Sequence, residues 1–201
     1  MKKFTLLLLL LLGISLSNAQ TRTIQMVGEK SSKVITSTIE WWGYKVIRAE
    51  PFTHNGNIKL KNGKFNFKDG KLIDADFVLD MRSLTINNAA GADQEKWTKD
   101  LKSTNFFDVK QYPVALFHIS KVLPNDKNDG YNSVVIGEVT IKGKRKTISF
   151  PANVVINGYS VSMETSKITI NRHEFNVFYK PGIKEYVIKD EMDIQVKLAT
   201  K

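Results

Sequence analysis

Three histidines, His54, His118 and His173, are the residues of this chain best suited to acid–base or metal chemistry, and there is no cysteine to act as nucleophile or soft ligand. The histidines lie in separate segments without the short spacing of a zinc site, so only a fold that brings distant segments together makes a three-histidine centre. "HEFNV", His173 to Val177, opens like a metalloprotease helix, but the second histidine position is Val177 and the stretch reads as strand. "NDKNDG", Asn125 to Gly130, resembles the start of a calcium loop. With Gly130 in sixth place, Lys127 falls on a ligand position and Ile136 stands where a glutamate is required. The chain also lacks a Gly-x-Ser-x-Gly elbow and a glycine-rich phosphate loop. Neither a metal nor a cofactor is expected.

The elements that must position these residues are strands. In "LIDADFVLDMRSL", Ile73, Ala75, Phe77, Leu79 and Met81 fall on one face, while Asp74, Asp76, Asp80 and Arg82 dominate the other. The last stretch repeats the pattern, with Ile188, Met192, Ile194, Val196 and Leu198 opposite Lys189, Glu191, Asp193, Gln195 and Lys197. Strands are expected near 33–42, 54–61, 64–68, 71–84, 112–123, 131–142, 146–157, 159–177 (the last with a break) and 184–199, about eight in the wall. Asn62-Gly63 and Asn157-Gly158 read as two-residue hairpin turns, the first pairing Leu60 with Phe65, the second Ile156 with Tyr159 and Val154 with Val161. The basic run "KGKRK", Lys142 to Lys146, reads as a solvated hairpin turn. One stretch is helical, Asp93 to Ser103, capped by Asp93, with Trp97 and Leu101 as its apolar stripe.

Long antiparallel strands must hide their edges, and closure into a barrel does so. The expected fold is therefore all-β, an antiparallel barrel of about eight strands with one short helix. The charge density of the polar face and the lack of repeated aromatic girdles argue for a barrel in water over one in a bilayer. His118, on the opposite face to Phe117, is expected to point outward. His54 in "THNG" suits either a polar group at the barrel mouth that orients a ligand head or a turn histidine in water. Inward faces are rich in Phe77, Leu79, Met81, Ala115, Phe117, Ile119, Ile148, Phe150, Val154 and Val161, which either fill a core or line an elongated cavity.

The N-terminus, "MKKFTLLLLLLLGISLSNAQ", has a basic start, a short apolar run and a small-x-small site at Ser17-Asn18-Ala19. It is expected to be a signal peptide over residues 1–19, leaving a single domain from 20 to 201 in a periplasmic or secreted location. The formal charge of +10, still +8 without Lys2 and Lys3, has no nucleic-acid partner to meet outside the cell and suits at most peripheral contact with an anionic membrane.

With these motifs in place the chain resembles the YceI-like family of polyisoprenoid-binding proteins. The resemblance runs from about Ser37 to the C-terminus. It is carried by "STIEWWGYK" (Ser37–Lys45), "HNGNIKLKNGKF" (His54–Phe65), "FVLDMRSL" (Phe77–Leu84), "DLKSTNFFDVKQYPVALF" (Asp100–Phe117), "GEVTIKGKRKTISFP" (Gly137–Pro151) and "KDEMDIQVKL". It departs at "LTINNAAGADQEKW", Leu84 to Trp97, which is poor in acidic residues. The resemblance implies a lipocalin-like barrel with a helix over one end, exported to the periplasm, that binds a polyprenyl lipid or quinone tail without catalysis. The candidate ligand contacts are Trp42, His54, Phe77, Leu79, Met81, Phe106, Phe107, Phe117, Ile148, Phe150 and Val161. Phe106 and Phe107 are expected to anchor the lid or border the cavity, with Phe107→Ala affecting ligand more than fold. Two rival readings are a solid-cored barrel acting as partner in a stress-response or membrane redox complex, and a hydrolase using His54.

Overall fold

The computed structural model describes residues 28–179 and 186–201, so the expected leader at 1–19 lies outside the described residues. Among these residues ten strands form one sheet: β1 (Glu29–Ile47), β2 (Glu50–Asn57), β3 (Lys59–Lys68), β4 (Lys71–Asp80), β5 (Val114–Pro124), β6 (Ser133–Ile141), β7 (Lys144–Asn157), β8 (Ser160–Thr165), β9 (Ile168–Asn171) and β10 (Tyr186–Thr200). β2 and β3 lie along β1 in one continuous register, Glu40 opposite Asn57 and Glu29 opposite Lys68, and are separated only at the buried Ile58. β8 and β9 both follow β10, with a one-residue shift of register between them: Lys197 is opposite Glu164 and Ile194 opposite Ile168. Each pair is one interrupted wall strand, and pairing of β1 with β10 closes an eight-strand antiparallel barrel. The expected fold class is what is found.

Tight hairpins set the registers. The turns Arg48-Ala49, Asp69-Gly70 and Lys142-Gly143 each place two successive residues at positive φ, the loop geometry whose twist matches paired strands. "KGKRK" thus contains the turn expected of it. Asn62-Gly63 is no turn. β3 runs straight through it, with Asn62 opposite Val78 and Gly63 opposite Phe77, because the reversal lies at Asp69-Gly70. The Asn157-Gly158 hairpin exists, two places out of the expected register: Ile156 meets Val161 and Val154 meets Met163. A shift of two keeps each side chain on its face, so the apolar pairing survives.

One bulge changes a face. The β3–β4 ladder passes from Asn66–Asp74 to Phe67–Leu72, which turns Ile73 outward at 44% exposure and packs Leu72 inward. The "HEFNV" stretch is not strand as expected but a 3-10 turn, Arg172–Phe175, with Asn171 capping the His173 amide.

The single α-helix among the described residues, α1 (Gly91–Lys102), begins two residues before the expected cap. Ala90 is its N-cap without a side-chain bond, and Asp93 sits in the first turn. None of its residues is fully buried; Trp97 and Leu101 supply the apolar stripe that rests on the barrel end. The core divides into two linked clusters. One, around Phe65, Phe67, Ala75, Ile119 and Val135, fills the end distant from α1; the other, around Trp41, Met81, Phe107 and Val177, lies beneath it.

Candidate functional site: a lidded cavity in the barrel

The mouth begins with two adjacent tryptophans that part company. Trp41 points inward at 5% exposure and donates from Nε1 to the Thr85 carbonyl at 3.1 Å. Gly56 permits this approach, since a Cβ there would sit 1.7 Å from the Thr85 oxygen. Trp42 alternates to the outer wall, with the Lys167 ammonium 4.1 Å from its ring centre. The cavity tryptophan is therefore Trp41, and the placement expected for Trp42 is corrected by strand parity.

Beneath α1 lies a cavity of about 100 Å³ walled by Trp41, Lys45, His54, Trp97, Leu101, Phe106, Phe107 and Tyr179 among others. Trp41, Phe107 and Met192 also border a second void of about 50 Å³ that reaches Met81 and Phe117. Leu79, Phe117, Val139 and Ile194 in turn border a third, of about 70 Å³, with Phe77, Ile148 and Phe150 on its wall. The second and third are lined by apolar side chains with Thr165 the one exception, and its hydroxyl is occupied by the Ser166 carbonyl and the Val196 amide. Three voids thus run from a polar mouth down the barrel.

The structure brings together His54, Phe106 and Phe107 at the mouth, Met81 in the middle, and Phe77, Leu79, Phe117, Ile148 and Phe150 below. Val161 lies elsewhere. It is 2% exposed in the packed distal cluster and is not on these walls. Phe106 and Phe107 do border the cavity. Phe106 stacks on Tyr179 at 4.4 Å, and Phe107 is buried at 6% exposure with its amide bonded to the Leu101 carbonyl.

Polar groups concentrate at the mouth. The Lys45 ammonium lies 4.4 Å from the Trp97 ring centre; burial lowers its pKa and Asp93 pulls the other way. The His54 ring packs 4.5 Å from Trp97, and its Nδ1 is shielded from solvent with no hydrogen-bond partner. Burial first, then the Lys45 charge, hold the His54 pKa below 6.5, with Asn88 opposing. Tyr44 donates to Asp193 at 2.6 Å, and that bond, with burial and the carboxylate charge, pushes its pKa up to about 12.

Two basic residues that sequence reasoning passed over hold the rim. Arg172, 7% exposed, donates to the carbonyls of Val177, Lys189 and Ile188 and to Asp190, pinning the 3-10 turn to β10. Lys142, from the hairpin turn read as solvated, donates to the carbonyls of Phe106 at 2.7 Å and Asn176 at 3.1 Å. No local sequence pattern announces these bonds, because most of the partners are backbone oxygens distant in the chain.

The other two histidines are elsewhere. His118 stands on the outer wall as expected, its Nδ1 2.9 Å from Asp76, whose pKa it lowers together with Lys64. His173 pairs with Asp190 at 3.2 Å. Among the described residues no group of three potential ligands is placed to hold a metal ion.

A closed antiparallel barrel with an apolar interior, entered at one end under a helix, defines the lipocalin-like class of barrels. The sequence profile of the YceI-like domain matches residues 29–200, and the chain belongs to that family. Its fold is similar to the crystal structure of Burkholderia cenocepacia BcnA, with a TM-score of 0.59 and 24% identity over 82% of this chain and 96% of that one. It is also similar to a polyisoprenoid binding domain from Saccharophagus degradans implicated in plant cell wall breakdown, with a TM-score of 0.55 and 12% identity over 85% of this chain and 97% of that one. No protein sequence of curated function matches the chain significantly.

Proposed function

We propose that the protein is a non-catalytic binder or carrier of an isoprenoid or similar amphiphilic lipid, working in the periplasm or outside the cell after loss of its leader. The observation that carries this reading is the succession of apolar voids leading inward from a mouth that holds Lys45 and His54. A tail in those voids gains about 0.8 kcal/mol for each methylene removed from water, so affinity needs no polar motif along the wall. A polar head stays at the mouth, where the His54 Nδ1 has unused hydrogen-bonding capacity and Lys45 supplies positive charge. The polyisoprenoid-binding description of the Saccharophagus degradans domain, a barrel of the same fold, agrees with this. The basic surface suits loading by brief contact with an anionic membrane.

The hydrolase reading finds little support. Among the described residues the mouth cavity is lined by no serine or threonine hydroxyl beside His54. Organic extraction and native mass spectrometry of the purified protein are expected to release an isoprenoid or related lipid, and added prenols are expected to raise Tm. A protein that is empty and shows no thermal shift with any prenol sinks the carrier reading.

A further inference from the structure

The three voids stop partway down the barrel, and what stops them is a built layer. Along β1 the cavity walls extend from Lys45 to Ile39, about 20 Å of strand at the usual rise, while the strand itself continues to Glu29. Below that level Phe65, Phe67, Ala75 and Val135 are each 0% exposed, and the far end is plugged by Phe67 edge-on to Tyr159 at 5.2 Å with the Lys30 ammonium 4.1 Å over the tyrosine ring. Three rings that line the lowest void also pack against this end. Phe77 stacks on Phe117 at 6.1 Å, and Phe117 meets Phe150 at 5.8 Å.

Two of these rings lie over glycines of neighbouring strands. A Cβ at Gly63 on β3 would come 2.9 Å from the Phe77 ring. One at Gly137 on β6 would come 2.9 Å from the Phe117 ring and 2.3 Å from the His118 carbonyl. The glycines clear the space the rings occupy, so the layer is specified by residues on several strands and is not a chance rotamer.

From this we infer that Phe77, Phe117 and Phe150 form a floor that limits the length of lipid tail the barrel accepts, selecting tails of a few isoprene units over long polyprenyl chains. The inference rests on the carrier reading above and adds a length specificity to it. Size agrees. Each void, at about 100, 50 and 70 Å³, is smaller than the roughly 150 Å³ cavity that holds one benzene, so even joined they house a short tail and not an extended long one. A longer tail leaves its remainder in water, where further methylenes add nothing.

The test is a series of prenyl alcohols, geraniol, farnesol, geranylgeraniol and octaprenol, delivered in one detergent to the full-length mature protein. Binding is read by the fluorescence of the mouth tryptophans and by native mass spectrometry. Affinity is expected to rise roughly tenfold or more per isoprene unit at first. It should then level off by geranylgeraniol, with octaprenol no tighter. Phe117→Ala is expected to move the break to a longer tail, and Phe117→Leu, which keeps most of the apolar volume, to move it less; the series on the native protein decides the matter even if neither variant folds. Affinity that keeps climbing through octaprenol in the native protein overturns the length limit and leaves the carrier reading standing. If no prenol binds at any length, the carrier reading fails and the limit falls with it.

Discussion

Phe106 and Phe107 are neighbours in sequence with different work to do. Phe107 is buried among Trp41, Met81 and Val139, so Phe107→Ala is expected to cost about 3 kcal/mol of stability through lost burial and a cavity. That burial sets a stability cost beside the expected, larger effect of this substitution on ligand binding. Phe106 is only half-buried against Tyr179, and Phe106→Ala should cost less than half as much; denaturant unfolding of both variants checks the order. His54 makes a prediction with a sign. Its native pKa lies below 6.5 because burial and Lys45 disfavour the charged form, so the unfolded chain takes up its proton first as pH falls. Stability contributed by neutral His54 is therefore full above about pH 6.5 and is lost below it, down to the depressed native value. Thermal unfolding across that window should show the native protein losing Tm faster than His54→Gln; parallel curves would refute it. Alternation in the sequence marked the inward residues of β5 and of β4 from Ala75 onward correctly, and missed Ile73, which a bulge turns outward. It did not choose between Trp41 and Trp42, because both are aromatic and a parity of one decides the face.

At the scale of elements, glycine illustrates how a local signal is overridden. Asn62-Gly63 carries the dipeptide of a hairpin turn, yet Asp69-Gly70 takes the turn and Gly63 serves instead as the gap for the Phe77 ring. Which of two nearby turn signals is used depends on the partner strand, a fact outside either dipeptide. Gly137→Ala accordingly should destabilise by about 1–3 kcal/mol, since the new Cβ must displace the His118 carbonyl and the Phe117 ring; equilibrium unfolding measures it. The lid is an element held at few points. Lys142 joins the Phe106 loop to the Asn176 turn through two carbonyls, a charged donor worth about 1.5 kcal/mol or more per bond. Lys142→Met is expected to raise amide hydrogen exchange in residues 103–109 and 172–177 while the distal barrel keeps its protection. Uniform acceleration throughout the barrel would show that the lid is no separate unit.

For the whole molecule, closure depends on the last strand. β10 bonds to β1 on one side and to β8 and β9 on the other, and its final residues pair Leu198 with both Ser37 and Met163. Truncation after Gln195 removes that joint, exposes two edges and is expected to abolish cooperative unfolding, as seen by circular dichroism on heating. Sequence by itself determined the class of fold. The period-two pattern, the turn residues and the edge problem leave an antiparallel barrel as the solution, and the helix and inward faces follow from periodicity. What only the tertiary structure decided was how much of the interior is hollow. Filled core and cavity wall are built from the same apolar residues, and the difference lies in whether rings from separate strands meet across the barrel. Phe77, Phe117 and Phe150 do meet, over glycines on β3 and β6, and that contact, distant in the chain, divides a packed end from an open one.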